Sequence, residues 1–352
     1  VAALHVLILV ASKDLGSALI FFVTYMAMLL VASKNYLYFG MGLVVGSGAA
    51  VIAHKLFRHV QVRVQAFLDP FSVIDREGYQ ITQSLFAIAC GGFFGTGLMK
   101  GVPDDIPFVE SDFIFSAIVE ELGLVFGIVI ILVCLSIFLV IMNSAVKMKD
   151  PFYTYVLMGL AILYIFQILL TIGGGTKFIP LTGVTLPLVS YGGSSVLATI
   201  LTFFLINGCI AKNENKKTLI AKKTEDEMIY VSIFFVAVFL VIIAYTCIYV
   251  RGNEVNWSIN SYNSRLEMLK AENERGPIYA SGGETLAVTR VDEDGLEYRS
   301  YPYGNAFSHI VGFESRGYLG TEALANYYLL HSHESLRGQV SNAVYGRKNA
   351  GD

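Results

Sequence analysis

The sequence predicts an all-α polytopic membrane bundle, followed by one anchor helix and a small α+β domain. Three observations predict it. Of the 352 residues, 55% are hydrophobic and 15% charged. The charge is uneven, with 30 charged positions among the first 250 residues and 23 among the last 102. Several apolar runs in the first part also approach or exceed the roughly 18–20 residues that cross a bilayer as helix. The tail has the composition of an ordinary soluble domain. A disordered, collagenous or disulfide-stapled chain is excluded. Cys90, Cys134, Cys209 and Cys247 all lie in apolar stretches, so no disulfide framework is indicated. A net charge of −3 gives no reason to invoke nucleic acid.

Hydropathy gives a partial span at 1–12, then spans near 14–32, 36–54, 113–143, 153–172, 193–210 and 229–250. The 113–143 run is longer than one crossing needs, so its start is expected to lie in the interface or to tilt. The sequence opens at Val1 inside an apolar segment already under way and stops at Gly351-Asp352. An internal piece of a longer parent is therefore expected. Loops 33–35, 144–151 and 211–228 carry eight Lys, while 55–112 and 173–192 carry six Lys/Arg in more than twice the length. The positive-inside rule places the first set in the cytoplasm. The 55–112 loop and residues 251–352 then face outward. Within that loop, 84–98 is apolar, glycine-rich and too broken to span, and 173–192 is similar. Irregular backbone at membrane depth is tolerated where it packs on protein or lines a cavity. Both readings stay open: an outward cavity, or two packed interfacial loops.

Asp112 closes the outer loop and opens the next helix. Such a carboxylate either caps free N–H groups or serves a site. Glu120 and Glu121 sit two to three turns into an apolar helix, where a charge costs about 2.5–3.5 kcal/mol. Asp14 breaks two spans and has a ready explanation in a turn. Arg58, Arg63, Lys100 and Lys177 collect on the outer side. Singly, each reads as a side chain snorkelling to headgroups; together with a carboxylate they suit an anionic headgroup such as a diphosphate. Ser144-Ala-Val-Lys147 fits a Ser-x-x-Lys pattern but falls in a cytoplasmic loop, so it carries no weight. His331 and His333 lack further ligands at useful spacing, and no metal site is expected.

Residues Thr176–Ser195, TKFIPLTGVTLPLVSYGGSS, resemble the signature of the SEDS family (shape, elongation, division and sporulation proteins, the FtsW and RodA group). Asp14-Leu-Gly, Arg63 through Asp69-Pro70, Gly78–Ser84, Asp112-Phe-Ile-Phe and Glu120-Glu121-Leu-Gly follow in the family's order, so the likeness runs from residue 1 to about 210. The family's fold has ten spans, of which this chain would hold the C-terminal portion. The tail is similar to the start of a class B penicillin-binding protein. Asn263-Ser-Arg265, Arg275-Gly-Pro-Ile278, Leu286-Ala287 and Arg299-Ser-Tyr-Pro302, with His309 and Gly312, carry that likeness, although Ala280-Ser281 stands where Asp-Arg is usual. The resemblance implies three parts: a partial SEDS domain at 1–228 with its cytoplasmic linker at 211–228, a transmembrane anchor at 229–250, and a truncated pedestal at 251–352 without a transpeptidase domain.

The implied function is polymerisation of lipid II, an undecaprenyl-diphosphate disaccharide-pentapeptide, into glycan strands at the bacterial cytoplasmic membrane. Partners would be lipid II, membrane lipid and a fused or associated class B penicillin-binding protein, with no nucleic acid. The family's essential outer-loop Asp matches Asp112. Arg63, Lys100, Lys177, Glu120, Glu121, Ser190, Tyr191, Gly192 and Gly193 are the expected substrate-binding residues, with no protein-bound metal. The cofactor requirement is open, a divalent cation such as Mg or Mn being the candidate. Two other classes compete: a flippase or lipid-headgroup transporter, which the same outward cavity would suit, and a membrane scaffold for the penicillin-binding partner. A polymerase consumes lipid II and a transporter does not. A scaffold should tolerate Asp112→Ala.

Overall fold

The computed structural model divides into two compact units, Val1–Arg251 and Gly252–Asp352. It describes residues 2–12, 14–214 and 225–250 of the first. Of the second it describes 252–253, 257, 260, 262–265, 270, 273–292, 297–313, 320–325, 329–330, 332, 338, 341–342, 344–345 and 347–351.

Among the described residues of the first unit, the regular elements are all helices. Its elements are α1 (Ala2–Ala11), α2 (Leu15–Ser33), α3 (Tyr36–Leu56), α4 (Arg58–Leu68), α5 (Tyr79–Gly91), α6 (Ile114–Val146), α7 (Pro151–Gly175), α8 (Gly193–Glu214) and α9 (Glu225–Tyr245), which ends in a π-helical turn at Thr246–Val250. Six helices among the described residues are long and apolar enough to cross a membrane, and they fall on the spans that hydropathy gives. Polar residues punctuate them. Asp14 accepts from Ser17 N at 3.0 Å to start α2, Asn35 accepts from Leu37 N at 2.9 Å to start α3, and Asp150 accepts from Phe152 N at 3.0 Å to start α7 just before Pro151. Each satisfies a donor that the first helical turn leaves open. Asp14 therefore acts as a cap, as its sequence setting suggests. The expected linker 211–228 lies partly outside the described residues, and His331 and His333 lie wholly outside them.

Helix α7 is the centre of the bundle. Leu157, Met158, Ala161, Ile162, Ile165, Ile168 and Ile172 are all fully buried, and α2, α5, α6, α8 and α9 pack around it. Helix α3 buries no residue and stands at the periphery.

Two features of the outer segment differ from the sequence reading. Residues 79–91 form a regular helix, not broken backbone, and ten of its thirteen residues are buried. The irregular stretch begins only at Gly92. The long span is also interrupted: at Gly123, φ 86° and ψ 164° break α6 nine residues in. The glycine-rich strand from α5 fills that break. Gly92 O accepts from Leu124 N at 3.0 Å and Phe93 O from Val125 N at 3.2 Å, while Thr96 N and Gly97 N donate to Glu120 O and Glu121 O at 2.9 and 3.0 Å. The backbone groups freed by the break are thereby paired inside the protein, as membrane depth requires. A β-carbon at Gly95 would lie 2.1 Å from Glu121 O, and one at Gly123 would lie 2.2 Å from Phe93 O. The 113–143 run thus consists of two helical pieces joined at Gly123.

The second unit holds a three-stranded antiparallel sheet: β1 (Ile278–Tyr279), β2 (Thr285–Val291) and β3 (Glu297–Ser300) in that order. Its polar centre is Glu322, fully buried between Arg275 Nε (2.7 Å to Oε2) and Arg299 Nε (2.9 Å to Oε1). Arg299 Nη1 also donates to Thr289 Oγ1 at 3.0 Å and to Arg275 O at 3.1 Å. The tail motifs Arg275-Gly-Pro-Ile278 and Arg299-Ser-Tyr-Pro302 therefore meet in one network.

Candidate active site

Helix α4 is short and amphipathic. Arg58, His59, Val62, Arg63, Ala66 and Phe67 recur with the spacing of one helical face, and that face lines a cavity of about 810 Å³. Arg76, Glu77, Tyr79, Gln80 and Ile81 form a second wall, and Phe108 and Asp112 a third. Gly174, Lys177, Ile179 and Leu181, at the end of α7 and beyond, close it. Of the expected site residues, Asp112, Arg63 and Lys177 come together here.

Asp112 is half-buried. Helix α6 is capped at Phe113 without a side-chain hydrogen bond, so the carboxylate is not spent as a helix cap and lines the cavity. Its nearest organising feature is Gly183, with φ 74°. A β-carbon there would sit 3.6 Å from Asp112 Oδ2 and 3.5 Å from Arg63 Nη2. The glycine lets the chain turn between an acid and a base without filling the gap. Arg63 Nη1 donates to Thr182 O at 3.1 Å, which fixes the guanidinium. Burial raises the Asp112 carboxyl above its ordinary value, against the lowering effects of the Ser111 side-chain hydrogen bond and of Arg63. Such a group is better suited to accept a proton than a solvated Asp.

The TLPLVSYGG stretch is pinned from two sides. Thr171 Oγ1 and Gln167 Nε2 on α7 donate to Val184 O (2.8 Å) and Thr185 O (2.9 Å). Ser190 takes 2.8 Å from Leu186 N and gives 2.5 Å to Ser111 O, while Tyr191 N donates to Glu110 O at 2.8 Å. Ser190 is thus buried against the backbone beside Asp112 and does not line the cavity. Tyr191 is exposed. Gly192 and Gly193 stand where α8 begins, also outside the cavity lining.

The remaining expected residues are placed elsewhere too. Glu120 is 1% exposed, and its Oε1 accepts from Val102 N at 2.8 Å. With the Glu121 carbonyl it ties down the 96–102 strand, and neither glutamate lines the cavity. Lys100 is exposed on that strand and also lies outside the lining. Arg76 and Arg58 line the cavity in its place. His59, which the sequence reading did not single out, contributes a buried Nε2 without a hydrogen-bond partner. Its signal was available: it lies four residues before Arg63 on the same helical face. Among the described residues, no group of three or more His, Cys, Asp or Glu is arranged to hold a metal. Asp112 and Glu77 are the carboxylates at the cavity.

A family model described as a cell cycle protein (FtsW, RodA, SpoVE) matches residues 1–216. A second, for the penicillin-binding protein A dimerisation domain, matches residues 275–352. The peptidoglycan glycosyltransferase RodA of Mycobacterium bovis is 40% identical over 200 residues, covering 56% of this chain and 42% of that protein. RodA of Mycobacterium leprae is 41% identical over 196 residues, at 55% and 42% coverage. The probable peptidoglycan glycosyltransferase FtsW of Legionella pneumophila is 37% identical over 206 residues, at 56% and 52%. The chain spans about half the length of these curated relatives or less. A chain of the solved structure "Structural coordination of polymerization and crosslinking by a peptidoglycan synthase complex" aligns with TM-score 0.49 and 26% identity, over 61% of this chain and 62% of that one.

Proposed function

The chain belongs to the FtsW, RodA and SpoVE family of cell cycle proteins, and from that premise we propose that it carries the catalytic cavity of a peptidoglycan glycosyltransferase that polymerises lipid II. One observation carries the reading: a half-buried carboxylate, Asp112, and a fixed guanidinium, Arg63, approach each other across Gly183 and line a cavity that Arg58, Arg76 and Lys177 also line. Glycan extension by inversion displaces a diphosphate from the anomeric carbon of the growing strand. The attacking group is the 4-hydroxyl of the GlcNAc of an incoming lipid II. Asp112 accepts the hydroxyl proton as the new C–O bond forms. The C–O bond to the diphosphate breaks, and the cations stabilise the negative charge that leaves with it.

We further propose that the spans lie in the bacterial cytoplasmic membrane with loop 55–112 and residues 251–352 outside. In this reading the tail is the first part of a class B penicillin-binding partner on the same polypeptide, as the match over 275–352 supports. Fluorescent lipid II in detergent, followed on a gel, tests the polymerase. Full-length protein should give a ladder of strands and its Asp112→Ala variant none. Ladders from both would move the base elsewhere. Binding of lipid II without strands in either would favour transport.

A further inference from the structure

Lys177 enters the cavity wall at the C-terminal cap of α7. Its φ of 58° belongs to that cap, which Phe178 N closes on Gly173 O at 2.8 Å and Lys177 N on Gly174 O at 3.2 Å. Its carbonyl and its ammonium are then engaged from the far end of α9. Tyr245 Oη donates to Lys177 O at 3.0 Å. Lys177 Nζ donates to Tyr249 Oη at 3.3 Å and lies 5.7 Å from the centre of that ring. The two tyrosines are four residues apart, and their rings stack with centroids 4.9 Å apart and planes 16° apart. Phe178 packs edge-on against Tyr245 at 5.4 Å. The helix changes to a π turn at Thr246–Val250, a local geometry that often accompanies a functional position. Residues 217–274 lie outside both matched ranges, so neither family accounts for this grip.

We propose that Tyr245 and Tyr249 are positioning residues for Lys177, holding its ammonium at the cavity wall to bind the diphosphate of a prenyl-linked substrate. The inference rests on the polymerase reading above for the identity of the ligand. The chemistry of the grip favours an anion-binding role. A carboxylate partner would cancel the lysine's charge, whereas a phenol oxygen orients the ammonium and leaves the charge intact. The hydroxyl of Tyr245 acts on the main chain and that of Tyr249 on the side chain, so both ends of the residue are fixed. Preorganisation of this kind lowers the ordering cost of binding a mobile headgroup.

The test is equilibrium binding of a fluorescent farnesyl diphosphate to the full-length protein in detergent. Lys177→Met should weaken binding about tenfold, the worth of one charge-assisted contact. Tyr245→Phe and Tyr249→Phe, which delete one hydroxyl each and keep the ring packing, should each weaken it about threefold to fivefold. In a Lys177→Met background the same tyrosine changes should have no further effect. Tyrosine variants that bind like wild type overturn the proposal, and so do losses of equal size with and without Lys177, because packing alone would act independently of the ammonium. A wild-type protein that binds no farnesyl diphosphate overturns it as well. Inorganic pyrophosphate as competitor separates the sources. Displacement at similar concentration means the diphosphate alone is read, and displacement only by the prenyl form means the lipid contributes. In either case binding must depend on Lys177. The two readings fail separately. Coupled binding without glycan strands sinks the polymerase and keeps the grip, whereas strands with uncoupled variants do the reverse.

Discussion

Replacing Ser190 by alanine tests whether the TLPLVSYGG stretch supports the Asp112 loop. The hydroxyl makes two contacts, accepting from Leu186 N at 2.8 Å and donating to Ser111 O at 2.5 Å, and the residue is 4% exposed. Alanine removes both and leaves a stranded amide and a stranded carbonyl. Each group buried without a partner costs about 1–3 kcal/mol. The strain should be relieved by movement of the 108–112 segment, which contributes a cavity wall and keeps only the Tyr191 N–Glu110 O bond on this side. A displacement of about 1 Å at a reacting group can cost on the order of a hundredfold in rate. Ser190→Ala should therefore lower kcat for strand synthesis by about ten- to a hundredfold. Added to Asp112→Ala, it should change nothing further, because the residue acts through the aspartate. The assay is initial-rate strand synthesis from fluorescent lipid II, with detergent-phase thermal unfolding run beside it. Turnover within twofold of wild type in a stably folded Ser190→Ala protein would refute the argument.

Four further outcomes follow from the geometry. The Asp112 carboxyl is raised chiefly by burial and lowered by the Ser111 hydrogen bond and Arg63, so the acid limb of the rate profile should lie above the range of an ordinary aspartate and move higher still in Arg63→Gln. The sign for stability is opposite: a raised carboxyl contributes most below its unfolded value and loses that contribution as pH rises through the folded one, so Asp112→Asn should unfold at a higher temperature than wild type at neutral pH. Gly183→Ala puts a methyl between Asp112 and Arg63 without a steric clash, but at φ 74°, a backbone cost of about 1–2 kcal/mol; purified protein should remain folded while strand synthesis falls about tenfold. Glu322→Gln should leave Arg275 and Arg299 buried without their counter-charge, at a cost of about 3–5 kcal/mol. Limited proteolysis should then cut within 275–352 at protease levels that spare the wild type, and an unchanged digestion pattern would argue against a structural role.

The spans were legible because the bilayer imposes a length and a composition that few other solvents impose. The break in α6 was not. Gly123 reads as one more small residue in an apolar helix, and only the approach of Gly92–Gly97 from α5 shows that the backbone there is paired with another segment. The same approach explains Glu120, whose carboxylate looked costly in isolation and is in fact the acceptor for Val102 N. A buried acid and a broken glycine-rich strand were two visible halves of one contact, and a one-dimensional pattern gives no means to join halves eighteen residues apart.

The site was legible in its chemistry and not in its membership. Asp112, Arg63 and Lys177 converge on the cavity, while Lys100 does not, although all three basic residues satisfy the same sequence criterion of a cation near the outer end of an apolar segment. What separates them is register. Arg58 and Arg63 lie on the face of α4 that Val62, Ala66 and Phe67 turn toward the cavity, whereas Lys100 is carried by a strand whose backbone is already committed to α6. A charge count along the chain measures the field that an anionic headgroup would feel on approach, but which charges reach it depends on faces and ties that become definite only once the helices pack. The seventy-odd residues between Lys177 and Tyr249 make the same point: a cavity residue and the group that fixes its geometry are brought together by the bundle, and no local motif contains both.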